Sequence, residues 1–234
     1  MPRMSRHITP AQAEGLVLAA AHANQVGLPL NRFLTILWGQ AEIPGRIQDA
    51  QARFLELMRK WFHYRGVKTA YVWVIENGSE KGLHAHILVH VPRAYEKEWR
   101  RAVPKWIEGK VGRGIIRSKR VGFKNTPRKS IGPIKGVLKY VLKGVSERSA
   151  SLLRIERANQ GSVMGKRVGN SQNIGPTARN AYAQEKWAER LVRARDHINW
   201  ASHAAPSSIR NVCNNAFADD LDIPDFLRRT KVAR

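Results

Sequence analysis

The chain has 234 residues, of which 41 are Lys or Arg and 18 are Asp or Glu, so its formal net charge at pH 7 is +23. A composition that is 43% hydrophobic excludes a disordered chain, and the length allows one sizeable core with appended segments or two small domains. The charge predicts a polyanionic partner, with nucleic acid as the simplest choice and an anionic membrane surface as the alternative.

Cysteine content and hydropathy bear on the cellular compartment. Cys213 is the single cysteine, so the chain can form neither an internal disulfide nor a cysteine-based zinc site. The longest early apolar run, residues 16–21, is too short for a membrane span, and no signal peptide is evident. We therefore expect a cytoplasmic protein that has no membrane association.

Hydrophobic periodicity and turn residues predict an alternation of helices and strands. Thr9 and Gln12 form a capping box at the start of the first helix, with Pro10 at the first helical position. The predicted elements are, in chain order, a helix to about residue 24, a strand at 32–38, a helix at 47–64, a strand at 69–76, a hairpin loop at 77–82, a returning strand at 83–91, a helix around 99–106, an edge strand at 115–121, a basic loop at 122–132, a helix at 133–145, a loop at 157–176 and a long helix at about 178–200.

This order of elements predicts an α+β fold, in which a central antiparallel sheet carries helices on its faces and a helical C-terminal extension follows. We divide the chain accordingly into an N-terminal helical segment at 1–31, a sheet domain at 32–146, and a basic loop with the helical extension at 147–234.

Two histidines in the returning strand predict a metal site. His84 and His86 alternate with apolar residues, so both imidazoles point to one face of the sheet. His90 lies about 13 Å further along the strand, too far to join them. Glu76, at the end of the partner strand, is the natural oxygen ligand, and such a donor set suits Mn²⁺ or Mg²⁺. The alternative is that the histidines form the polar face of a half-exposed strand.

A second pair of residues predicts nucleophilic chemistry. Tyr140 and Lys143 lie three residues apart in a predicted helix, on neighbouring surface. A phenol is a poor nucleophile at neutral pH, so it needs a nearby positive charge and a metal that polarises its target. Lys143 can supply that charge. By itself, Tyr140 would be read as an ordinary tyrosine at the edge of an amphipathic helix.

Together these residues resemble the HUH endonuclease superfamily, especially the single-tyrosine initiators of rolling-circle replication. Residues 33–37 are similar to its first motif, a hydrophobic strand around a threonine, and residues 84–86 to its His-hydrophobe-His motif. Residues 140–143 are similar to its Tyr-x-x-Lys motif. Glu76 stands where related initiators carry an acidic third ligand. The resemblance covers about residues 32–145.

The resemblance implies a metal-dependent DNA endonuclease and strand transferase. Tyr140 would attack one strand, leaving a 5′-phosphotyrosine link and a free 3′-OH, and this would start rolling-circle replication of a plasmid, phage or integrated element. A conjugative relaxase or a transposase with the same chemistry, and a non-catalytic DNA-binding protein or repressor, stay open as alternatives. The chain has no phosphate-binding loop of the helicase type, so a separate helicase and a host polymerase are expected partners.

Basic residues that precede the tyrosine helix are the predicted contacts to single-stranded or origin DNA, because lysine and arginine track the phosphate backbone. A generic solvated basic surface is the alternative. The predicted DNA-binding residues are Lys119, Arg120, Lys124, Arg128 and Lys129.

Overall fold

A computed structural model describes residues 3–38, 47–108, 121–125 and 131–204. The chain divides into two units, Met1–Ala181 and Tyr182–Arg234. The regular elements are β1 Met4–Ser5, α1 Pro10–Gln25, β2 Arg32–Ile36, α2 Ile47–His63, β3 Tyr71–Gly78, β4 Gly82–Val89, α3 Glu96–Trp106, β5 Val121–Asn125, α4 Ile131–Val141, α5 Glu147–Leu153, β6 Val163–Met164, β7 Val168–Asn170 and α6 Pro176–Ala204.

The centre of the first unit is a five-stranded sheet with the strand order β5-β2-β4-β3-β7, in which every neighbouring pair is antiparallel. A separate two-stranded ribbon joins β1 to β6. The α+β fold with a central antiparallel sheet is therefore confirmed, and α6 forms the helical C-terminal extension. None of the helices among the described residues is long and apolar enough to cross a bilayer.

Strand alternation gives the sheet two apolar faces, which different helices cover. On one face, Trp73 of β3 and Ile87 of β4 pack with the apolar sides of α2 and α3. On the other face, Val72 and Val74 of β3 pack with α1 and α4. Because β3 and β4 are covered on both faces, both read as nearly continuous apolar runs, and polar side chains within them stand out.

The first helix follows its predicted start. Thr9 accepts a hydrogen bond from the backbone N–H of Gln12, and the Gln12 side chain accepts one from the backbone N–H of Thr9. Proline occupies the first helical position, where its missing N–H leaves no donor unsatisfied. The capping box is therefore confirmed.

Other predicted elements differ from the structure. The loop predicted at 122–132 is wrong at its start, because residues 121–125 form β5 along the outer edge of β2. Gly122 and Asn125 have weak strand propensity, so the strand depends on its pairing with β2. The strand predicted at 115–121 lies outside the described residues except for Val121. The loop predicted at 157–176 contains the short strands β6 and β7.

Candidate metal centre and nucleophile

Strand register brings the predicted metal ligands together. Glu76 of β3 pairs directly with His84 of β4 across the ladder. His86 lies two residues further along β4, on the same face, and pairs with Thr35 of β2 on its other side. Three neighbouring strands thus present an acid, two imidazoles and a hydroxyl to the face of the sheet that α4 covers.

The three predicted ligands form one compact, buried group. Each of Glu76, His84 and His86 offers a ligand atom, and these atoms lie within 4.8 Å of one another. Oε2 of Glu76 is 3.2 Å from Nε2 of His84 and 3.5 Å from Nε2 of His86. The residues are 1–2% exposed. His90 lies apart from this group, with its Nδ1 bonded to the carbonyl of Pro29.

The protonation states of Glu76 and His86 suit the binding of a cation. Burial raises the pKa of Glu76, but the imidazoles of His84 and His86 and the ammonium of Lys143 outweigh burial, so the pKa falls to about 2. Burial lowers the pKa of His86, against the attraction of Glu76. An ionised carboxylate and a neutral imidazole are the protonation states that bind a metal ion.

Hydrogen bonding aims both imidazoles at the same point. Nδ1 of His84 donates to the carbonyl of Gly82 at 2.8 Å, so its Nε2 carries the lone pair. Nδ1 of His86 lies 2.9 Å from Oγ1 of Thr35, which can accept its proton in the same way. Both oxygens of Glu76 and Nε2 of His86 are buried with no hydrogen-bond partner among the described residues. Buried acceptors that make no hydrogen bond and converge on one point fit a divalent cation.

Tyr140 lies directly over this group. Its ring centroid is 5.3 Å from that of His86 and 6.1 Å from that of Phe33, with edge-on packing in both pairs. The residue is nevertheless 42% exposed, so its hydroxyl can be reached from outside. The predicted nucleophile and the predicted metal ligands therefore share one site.

Lys143 connects the two parts of the site. Helix α4 ends at Val141, so Lys143 lies on the turn after the helix rather than within it. Its Nζ is 3.9 Å from the ring centroid of Tyr140 and 3.3 Å from Oε2 of Glu76. One ammonium group thus lies beside both the phenol and the carboxylate that is predicted to bind the metal.

Two glycines flank Tyr140 at helical spacing, and their surroundings differ. A Cβ at Gly136 would meet no atom within 4 Å, which leaves open space one turn before Tyr140. A Cβ at Gly144 would lie 3.1 Å from the side chain of Gln160. Gly136 therefore leaves space beside Tyr140, whereas Gly144 allows close packing against Gln160.

The predicted loop at 157–176 begins with a segment that contacts the site, a role that the sequence did not indicate. Residues 157–162, here called the bridging loop, contact the end of β3 and the turn that carries Lys143. Within this loop the carbonyl of Gln160 accepts from the N–H of Asn77 at 2.8 Å, and the N–H of Ala158 donates to the carbonyl of Lys143 at 3.0 Å.

The bridging loop is itself held by a buried arginine, Arg167, which is 1% exposed. Its guanidinium donates to the carbonyls of Gln160 and Gly161. Burial lowers the pKa of Arg167, against the attraction of Glu76. The only sequence signal for this role was an arginine within an otherwise Gly- and Asn-rich segment.

Of the predicted DNA-binding residues, Lys124 alone lies within the described part of the chain. Lys124 lies in β5, where its backbone pairs with Phe33 of β2. The other four predicted contacts, Lys119, Arg120, Arg128 and Lys129, lie outside the described residues.

Comparison with known proteins gives one match that spans half of the chain: the family described as Replication-associated protein ORF2/G2P matches residues 31–147. No curated protein sequence matches. That segment begins just before β2 and ends just after Lys143, so it includes the predicted metal ligands and the predicted nucleophile.

Two solved structures are similar over part of the chain. The hypothetical protein ORF119 of Sulfolobus islandicus rod-shaped virus 1 is 20% identical, with a TM-score of 0.33, and the similarity covers 50% of this chain and 81% of that one. The N-terminal nuclease domain of minute virus of mice non-structural protein-1 is 13% identical, with a TM-score of 0.26 and coverage of 50% and 56%. Its structure is described as having Zn²⁺ coordination in the active-site pocket. Both TM-scores are below 0.5, so the family match is the informative finding.

Proposed function

Because the chain belongs to the Replication-associated protein ORF2/G2P family, we propose that it starts rolling-circle replication by metal-dependent, strand-specific nicking of DNA. Membership confirms the resemblance to Rep-like replication proteins. The observation that carries the proposed chemistry is the convergence of Glu76, His84 and His86 beneath the exposed ring of Tyr140.

A divalent cation is the proposed cofactor, with Mn²⁺ or Mg²⁺ as the first candidates. Glu76, His84 and His86 would hold it through one oxygen and two nitrogens, and the remaining coordination positions would be left for water and DNA. Bound there, a divalent cation would polarise the scissile phosphodiester. The buried oxygens of Glu76, which accept no hydrogen bond among the described residues, support this assignment.

Tyr140 is the proposed nucleophile. Its phenolic oxygen would form a bond to the scissile phosphorus as the bond to the 3′ oxygen breaks. The phenolic proton would pass to solvent water, and the departing 3′ oxygen would take a proton from solvent water to become a free 3′-OH. Lys143, beside the ring, would stabilise the developing phenolate or the phosphate charge. Reversal of the same steps would rejoin strands.

The proposed substrate is single-stranded or origin DNA, in keeping with the net charge of +23. Lys119, Arg120, Lys124, Arg128 and Lys129 stay predicted contacts to its backbone. A separate helicase would open the duplex, and a host polymerase would extend the 3′-OH. A relaxase or transposase would use the same chemistry, and a non-catalytic DNA-binding protein would need neither Tyr140 nor a metal.

A nicking assay tests the proposal. The protein is incubated with 5′- and 3′-labelled single-stranded DNA from the origin region of its own element, with Mn²⁺, with Mg²⁺ and with EDTA. We expect a covalent protein–DNA adduct that needs the metal and is lost in Tyr140→Phe. Tyr64→Phe is the matched control, because Tyr64 is 81% exposed and has no part in the proposed site.

Each alternative has its own outcome in that assay. An adduct that survives Tyr140→Phe keeps the endonuclease but moves the nucleophile, and Tyr182 is then tested. Tight binding without an adduct, over several origin fragments and both metals, refutes the endonuclease in favour of a non-catalytic DNA-binding protein.

A further inference from the structure

The sheet also carries a large cavity on the face opposite Tyr140. A cavity of about 990 Å³ lies between α2, β3 and the chain that follows β7. Its wall on β3 consists of Tyr71, Trp73 and Ile75, which alternate with the residues that face the metal centre. The cavity and the proposed nicking site are therefore separated by the thickness of one sheet.

The side chains that line the cavity favour an anionic ligand. Its lining includes the positively charged side chains of Arg59, Lys68 and Lys166, together with His63, and the described residues that line it include no aspartate or glutamate. Nζ of Lys166 lies 5.8 Å from the ring centroid of Trp73. An anionic ligand with an apolar part would match this combination of cationic rim and aromatic wall.

Carboxamides form the third part of the lining. The cavity is bordered by five amide side chains, namely Gln48, Gln51, Asn170, Gln172 and Asn173. Asparagine and glutamine offer a donor and an acceptor side by side, which is the pattern that pairs with the edge of a nucleobase. Cations for phosphates, amides for base edges and aromatic rings for base faces are the three elements of single-strand recognition.

The nitrogen of one buried side-chain amide in the cavity has no hydrogen-bond partner among the described residues. Gln51 is 1% exposed, and its Oε1 accepts a hydrogen bond from Nε1 of Trp38 at 2.9 Å. Because the indole N–H can only donate, this contact identifies the oxygen, so the other atom is the Nε2 donor. Nε2 is buried with no hydrogen-bond partner among the described residues. The cavity lining therefore includes one polar group that the described residues leave unsatisfied.

We propose that this cavity binds an unpaired stretch of the origin DNA, at nucleotides distinct from the scissile one. At least one base would enter beside Tyr71 and Trp73, and the phosphates would lie along Arg59, Lys68 and Lys166. The proposal rests on the proposed function for its substrate class. It adds a second DNA contact, on the sheet face opposite Tyr140, and this contact would determine which part of the origin reaches Tyr140.

The first test compares two triple variants that remove equal charge. Arg59→Ala/Lys68→Ala/Lys166→Ala changes the exposed rim of the cavity, and Lys97→Ala/Arg101→Ala/Lys105→Ala changes exposed residues of α3 that do not line it. Affinity for a single-stranded origin oligonucleotide is measured by fluorescence anisotropy over a range of salt. The rim variant is expected to bind about tenfold more weakly than the control variant, and its log K against log salt slope should fall by about 2, because each phosphate contact adds about 0.7.

The second test identifies which bases of the oligonucleotide lie in the cavity. Oligonucleotides with 5-iodouracil at successive positions are photocrosslinked to Tyr140→Phe protein, so that no nicking is required, and the crosslinked peptides are sequenced. At least one position away from the nick is expected to crosslink to the peptide that contains Tyr71 and Trp73. Nicking of a short oligonucleotide that spans only the scissile site should be equal in the α3 control variant and the wild type, because the α3 residues do not line the cavity.

The outcomes separate this proposal from the proposed function. Equal loss of affinity in the two triple variants, or no crosslink at Tyr71 or Trp73 from any position, would overturn the cavity assignment even if nicking is intact. Crosslinking and rim-dependent binding in a protein that forms no adduct would keep the cavity and refute the endonuclease. The acidic sequence at 216–226 offers one rival ligand: a synthetic peptide of these residues that binds the rim, where DNA does not, would also overturn the assignment.

Discussion

Thr35→Val removes one hydroxyl group from the proposed metal centre and leaves nearly everything else in place. In the wild type, Oγ1 of Thr35 lies 2.9 Å from Nδ1 of His86 and holds the imidazole with Nε2 toward Glu76. Valine has almost the same shape, and its β-branched side chain suits β2, which is paired on both sides. The variant therefore tests how far the orientation of a ligand contributes to metal affinity.

The expected magnitude follows from the burial of His86. Loss of such an orienting partner typically weakens metal binding about 10- to 100-fold. His86 is only 2% exposed, so water is not expected to replace the lost hydroxyl. We expect Thr35→Val to bind Mn²⁺ about 30-fold more weakly, which corresponds to about 2 kcal/mol.

Isothermal titration calorimetry with Mn²⁺ measures this effect on the wild type, on Thr35→Val and on Thr35→Ser. Serine keeps the hydroxyl and should stay close to the wild type. Urea unfolding of the three proteins checks that each is folded. A folded Thr35→Val protein that binds Mn²⁺ as tightly as the wild type would refute the role of the Thr35–His86 contact. Equal losses in both variants would also refute it, because serine keeps the hydroxyl that valine lacks.

Three further predictions concern stability. Arg167→Met should lower the free energy of unfolding by roughly 2–3 kcal/mol, measured in urea, because the buried carbonyl of Gln160 and the partly buried carbonyl of Gly161 lose a charged donor. An unchanged free energy of unfolding would contradict the role of this residue. Gly169→Ala should lower it by about 1–3 kcal/mol, since the new Cβ would lie 2.8 Å from the Trp73 ring, whereas Gly15→Ala, in open space within α1, should not destabilise. Burial lowers the pKa of His90, so below about pH 6.5 the unfolded chain binds more protons than the folded chain, and stability falls as the pH is lowered. His90→Asn should flatten this dependence of stability on pH, and an unchanged slope would exclude His90 as its source.

The parts of the fold that were predictable from sequence depend on short-range patterns. The capping box at Thr9, the amphipathic α2 and the hairpin of β3 and β4 are each contained in fewer than 25 consecutive residues. The grouping of Glu76 with His84 was also local, because the hairpin turn sets the register that makes them direct neighbours.

The parts that were missed depend on contacts between distant segments. Residues 121–125 form a strand because they pair with the edge of β2 that lies opposite β4, and their own composition does not indicate this pairing. No sequence pattern distinguishes Arg167 from the many surface cations of this chain, yet it is buried against the bridging loop. The cavity behind the sheet combines side chains from α2, β3 and the chain after β7, and no sequence window includes all three.

The bridging loop bears on how much chain the site requires. The family match ends at residue 147, while the bridging loop, Arg167 and the edge strand β7 all follow it. Helix α1, which precedes the matched segment, supplies much of the apolar layer on the α4 face. The smallest piece of this protein that could be moved intact into another protein therefore runs from α1 to β7, well beyond the matched segment at both ends.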